Sequence, residues 1–170
     1  IIKYGSNGKR IKSQFSTNWY HSYKPIKSDL GFKDTDSFSV SIPYFFGENQ
    51  LNGSDNIVAI VEAPKTAVIL KEIYPNIDWI ATFGEQNLFN KNLEILRDRN
   101  VIIFPDSQTT AWAKFAKEQG FYCSDILETE KVDSGADLAD YIFDSESEVY
   151  SEIHELLFSL NVGEFDFTIN

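Results

Sequence analysis

Residues 56–74 read "NIVAIVEAPKTAVILKEIY", and this stretch decides the fold. Six residues, "NIVAIV", form an almost unbroken β-branched run without polar alternation, the pattern of a parallel strand buried on both faces. The run stops at a carboxylate, Glu62. Two residues later Pro64 opens "PKTAVILKEIY", whose apolar spacing predicts a helix with proline in its first turn. A buried strand, an acid at its tip and a helix behind it make the first half of a strand–helix–strand unit.

The pattern repeats downstream. "DWIATF" predicts a second strand and "NLFNKNLEILRDR" a second helix, with Leu88, Leu93 and Leu96 near one face. "VIIF" predicts a third buried strand. "SQTTAWAKFAKEQG" predicts a helix closing on Gly120, and "FYCSDIL" a fourth strand. A short helical turn is expected in "GADLADYIF", and a longer amphipathic helix in "ESEVYSEIHELLFSL". Alternating strands and helices define an α/β fold with a mainly parallel sheet flanked by helices.

Upstream of residue 57 the composition differs. "IIKY" and "KRIKSQF" flank "GSNG", a hairpin signal. Residues 28–56 are rich in Gly, Ser, Asp and Asn, and "IPYFFGE" is the clearest strand candidate there. Three regions are therefore expected: a small basic β-rich N-terminal subdomain at 1–56, the α/β domain at 57–144, and a C-terminal amphipathic helix and tail at 145–170.

The formal net charge of the 170 residues is -11, which argues against a surface coated in nonspecific nucleic-acid contacts. The charge is uneven. Lys3, Lys9, Arg10, Lys12, Lys24, Lys27 and Lys33 face only Asp29 in the first 33 residues. Phe15, Trp19, Tyr20 and Tyr23 lie among them, and aromatics interleaved with basic residues suit single-stranded nucleic acid. A small core beneath the hairpin is the preferred reading for Phe15 and Trp19, and both readings stay open for Tyr20 and Tyr23. The single Cys123 excludes an internal disulfide and a multi-cysteine zinc site within the chain, and a cytoplasmic setting without membrane insertion is expected.

Ligands of open parallel sheets gather at the carboxyl ends of the strands. Glu62 follows the first strand, Gly84 the second and Asp106 the third, so the topology makes neighbours of residues far apart in sequence. Each acid also suits the positive end of the helix that follows it. Two together form a candidate Mg²⁺ site, because Mg²⁺ takes oxygen ligands and keeps several waters. Lys65 and Thr66 open a helix and are placed to meet an anion. No "GxxxxGK" or "GxGxxG" occurs, so neither a P-loop nor a dinucleotide fingerprint is present.

The segments "VAIVEAPKTAVIL", "WIATFGEQNL", "VIIFPDSQTTAWAKFAKEQG" and "GADLADYI" occur in the order seen in Toprim domains, and the chain resembles that family. These are the catalytic or metal-binding domains of primases, topoisomerases and related nucleases. The resemblance is to the primase-related, Toprim-like proteins of Bacteroides-type bacteria and their mobile elements. It implies a Toprim-like sheet and a role in DNA replication or mobilisation. The implied metal site holds Mg²⁺ or Mn²⁺ through Glu62, Asp106 and Gln108, with Glu62 and Asp106 catalytic and Gly84 and Asp137 close behind. Gln108 stands where the family pattern has a second Asp, and its uncharged amide weakens the expected metal binding. Lys9, Arg10, Lys12 and Lys65 are the implied contacts to nucleic acid, single-stranded DNA first. An upstream zinc-binding domain or a helicase is an implied partner. The alternatives are a non-catalytic module that binds nucleic acid or a partner protein, and a Toprim nuclease.

Overall fold

The computed structural model describes residues 43–107, 111–129, 132–133 and 135–167. The chain divides into two compact units, Ile1–Ser41 and Ile42–Asn170, and all described residues belong to the second. The N-terminal hairpin, the aromatic cluster and the side chains of Lys9, Arg10, Lys12 and Gln108 lie outside the described residues.

Four strands form one parallel sheet: β1 (Val58–Val61), β2 (Asp78–Ala81), β3 (Val101–Ile103) and β4 (Tyr122–Cys123), in the order β2-β1-β3-β4. Helices α1 (Pro64–Ile73), α2 (Ala111–Gln119), α3 (Leu138–Tyr141) and α4 (Tyr150–Val162) cover it. The α/β class is thus present, with flanking helices. The pleat explains the unbroken apolar run. Ala59 and Val61 face a core shared with α1, α3 and α4, while Val58 and Ile60 face one shared with α2, Leu88 and Leu96. Every residue of β1 is buried, so neither face has room for a polar side chain.

Two local expectations differ from the structure. "NLFNKNLEILRDR" is not one α-helix but two short 3-10 helices, Glu85–Asn90 and Leu93–Leu96. Lys91 between them is extended, and the Asn92 side chain accepts the Glu94 N–H at 3.1 Å, so asparagine competes for the backbone and breaks the run. "IPYFFGE" contributes a single antiparallel bridge, Phe46 to Ala81, rather than a strand. Residues from Ile42 onward belong to the α/β unit, and Phe45 and Leu51 are buried in its core. The C-terminal segment is also integral to that core through Val149, Ile153, Leu157 and Leu160.

Both sheet edges are closed. Phe46 exchanges two backbone bonds with Ala81, and Gln50 Nε2 donates to the Trp79 carbonyl at 2.5 Å, so the outer side of β2 offers little to a further strand. At the far edge, Phe165 and Phe167 pack edge-on against Tyr122 of the two-residue β4. Among the described residues no helix is long and apolar enough to cross a membrane.

His154 fastens three helices. Its Nε2 lies 3.1 Å from the Ile142 carbonyl, which only accepts, so Nε2 carries the proton and Nδ1 accepts the Tyr74 hydroxyl at 2.6 Å. Replacing His154→Phe keeps a ring but strands both partners. We expect a loss of about 1–3 kcal/mol in urea unfolding. Adding Tyr74→Phe in that background should cost little more, because the hydroxyl it removes is already unpaired; a further loss of full size would refute the coupling.

Candidate functional site

Glu62 directly follows β1, and Asp106 lies three residues beyond β3, the neighbouring parallel strand. The loop carrying Asp106 is pinned by Ser107, whose N–H donates to the Ala136 carbonyl at 3.0 Å. The two carboxyls come together and hydrogen-bond to each other. Two carboxylates cannot do this without a proton, so one is shared. Burial pushes Asp106 up, the Glu62 charge adds to it, and its carboxyl reaches a pKa of about 8. Glu62 is also raised, first by burial and then by the Glu85 charge; the bond it accepts from Asp106 works the other way. Both carboxyls are therefore pushed towards their protonated forms, Asp106 the more strongly.

Glu85 is the residue that sequence reasoning missed. Its backbone N–H donates to the Glu62 carboxylate, while its own charge disfavours ionisation of Glu62. The turn after β2 delivers it. Phe83 has φ 68°, and Gly84 has φ 141° and ψ 152°, a region open essentially to glycine alone. A Cβ on Gly84 would meet only Asn87 Nδ2 at 3.4 Å, so conformation rather than crowding demands glycine there. Thr82 braces the turn by donating its hydroxyl to the Gly84 carbonyl at 3.0 Å. Trp112 Nε1 donates to the Glu85 carbonyl at 3.0 Å and ties the turn to α2.

Asp137 is close enough to raise both Glu62 and Asp106, yet its own bonds are structural. It caps α3 in a reciprocal capping box with Asp140, and its Oδ2 accepts the Thr66 hydroxyl at 2.8 Å. Lys65 Nζ sits 3.6 Å from the same oxygen, so this lysine is paired with Asp137. Cys123 is held as a thiol, its pKa raised to about 11 by burial and by Asp125 and Glu128. Among the described residues no group of three or more His, Cys, Asp or Glu side chains is arranged to hold a metal ion. The donor chemistry of the pair itself suits a hard cation. Two carboxyls forced together and sharing a proton can exchange that proton for an ion with waters completing its shell.

A sequence profile described as a domain of unknown function, DUF6371, matches residues 1–107. The chain belongs to the DUF6371 family. The matched DUF6371 segment contains Glu62, Gly84, Glu85 and Asp106 and ends before Asp137. No curated protein and no solved structure matches the chain.

Proposed function

We propose that this chain is a Toprim-like domain of a primase-related protein that acts on DNA in replication or mobilisation. One observation carries the proposal: Glu62 and Asp106, beyond the ends of adjacent parallel strands, come together in a half-buried site where each raises the other's pKa or is raised by neighbouring acids. Such a pair is poised for a divalent cation. Glu62 and Asp106 would hold Mg²⁺ or Mn²⁺, and Gln108 would add a neutral oxygen ligand. When bound, the ion supplies charge stabilisation at a phosphate during phosphoryl transfer. Glu62, at the tip of β1, is the group placed to accept a proton from a nucleophile. The Glu85 N–H orients it.

Gln108 favours a second reading, a non-catalytic module that keeps the fold and binds nucleic acid or a partner, because it removes a charge from the ligand set. A nuclease would use the same acids. Primer synthesis from nucleoside triphosphates on a single-stranded template, and cleavage of that template, separate the three in Mg²⁺ buffer. The proposal expects synthesis that Glu62→Gln abolishes. Binding without either reaction favours the non-catalytic module, and cleavage alone favours the nuclease.

The basic arm is assigned to DNA in this reading. Neutralising Lys9, Arg10 and Lys12 together should weaken single-stranded DNA binding and flatten its salt dependence by up to about two logarithmic units. Unchanged binding by a folded triple variant would remove the arm from the interface.

A further inference from the structure

Helix α4, Tyr150–Val162, carries apolar residues on two opposite sides. Ile153, Leu157 and Leu160 form its inner face and are buried in the core it shares with the sheet. Ser151, Glu155, Phe158 and Val162 recur at i, i+4, i+7 and i+11, so they form one stripe on the side away from that core. All four are exposed, Phe158 at 61% and Val162 at 44%. A surface helix normally carries polar residues there. A single exposed apolar side chain needs no explanation, but two in register opposite the core do. The described tail does not cover them. Gly163 ends the helix at φ 77°, and Phe165 and Phe167 pack instead against Tyr122 of β4.

Charge narrows the choice of occupant. After Lys131 the sequence holds no lysine or arginine. Glu155 lies within the stripe and Glu152 at its flank. Both are exposed, and neither is in an ion pair among the described residues. Asp144 and Glu146 before the helix and Glu164 after it are exposed as well. Such a surface repels nucleic acid and anionic lipid. Packed on a second copy of itself, it would set like charges against each other. The chemistry that fits it is an apolar stripe flanked by cations.

We propose that the outer face of α4 docks a partner protein through a basic amphipathic helix, whose apolar side chains cover Phe158 and Val162 and whose lysines or arginines pair with Glu152 and Glu155. Phe158 is the anchor, because burying a phenylalanine contributes more than ion pairs at an exposed rim. The inference is independent of the Glu62–Asp106 pair.

The probe is a labelled synthetic helical peptide with leucines at i, i+4, i+7 and i+11 and lysines flanking them, titrated with the full chain by fluorescence anisotropy. Two further peptides have the same composition in scrambled order, or glutamates in place of the lysines. The wild-type protein should bind the basic amphipathic peptide at least about tenfold more tightly than either control. Phe158→Gln with Val162→Gln should weaken that binding at least about tenfold. The same double variant should keep its Tm within about 2 °C, because neither side chain holds the fold. Glu152→Gln with Glu155→Gln should flatten the salt dependence of binding. Equal binding of the scrambled peptide, or binding that the Phe158–Val162 double variant leaves unchanged, would overturn the proposal. So would a larger fall in Tm, which would assign the two side chains to the fold. A dimer in sedimentation that the double variant abolishes would give the face to a second copy and also overturn it.

Discussion

Asp106→Asn should make the protein more stable at neutral and alkaline pH. The asparagine amide donates to Glu62 as the protonated Asp106 does, and it never ionises. The sign follows from the raised folded-state pKa. Below pH 4 Asp106 is protonated in both the folded and unfolded chain, and the stability linked to its proton is fully present. Between its ordinary value of 3.8 and about 8, the unfolded chain ionises while the folded chain does not, so stability drains away as pH rises. Above about 8 the loss is complete and constant. The difference between Asp106→Asn and wild type should therefore grow from near zero at pH 4 and level off above pH 8. Its plateau should be on the order of 1–3 kcal/mol, well below the full linkage value, because the site is only half-buried. For a chain of this size that is a rise of several degrees in Tm, about 2–4 °C per kcal/mol. Thermal unfolding of both proteins across pH 4–9 reads it directly. An Asp106→Asn protein less stable than wild type at pH 8 would mean that the carboxyl is satisfied where it lies.

The second large effect is the pH dependence of metal binding. Mg²⁺ or Mn²⁺ must displace the shared proton, so about one proton should be released per ion at neutral pH. Affinity should climb by up to about tenfold per pH unit below the Asp106 pKa of about 8 and flatten above it. Calorimetry in buffers of differing ionisation enthalpy measures both quantities. Glu62→Gln should weaken binding by at least about tenfold through loss of a charged ligand. Gln108→Asp should tighten it by restoring one. Binding that is independent of pH from 6 to 9 would show that the cation, if bound, sits elsewhere.

Some of this was legible in the sequence for a physical reason. Strands buried on both faces must be apolar at every position, so "VAIV" and "VII" announce themselves, and the polar residue that follows each marks the strand's end. Glu62, Gly84 and Asp106 were visible on that ground alone. Glu85 was not. Its place beside Glu62 comes from positive φ at Phe83 and Gly84, and a glutamate after a loop glycine has no periodicity to betray it. The break at Lys91 was hidden because leucines at 88, 93 and 96 mimic a helical stripe, whereas three nearby asparagines and a lysine drawn to the Tyr44 carbonyl decide the backbone. Asp137 carried a second signal that went unread: the Asp137–Asp140 spacing is that of a capping box, and its capping bonds are present. β4 is only two residues long, too short for any pattern, and owes its position to Tyr122 packing under Phe165 and Phe167.

The most direct measurement is an anomalous difference map at the manganese edge from crystals soaked in Mn²⁺ above pH 8, where Asp106 is ionised. The account predicts one strong peak at the carboxyl edge of the sheet, about 2.1–2.2 Å from an oxygen of Glu62 and an oxygen of Asp106, with waters completing the shell. No peak there, with the two carboxyls still hydrogen-bonded to each other, would contradict it.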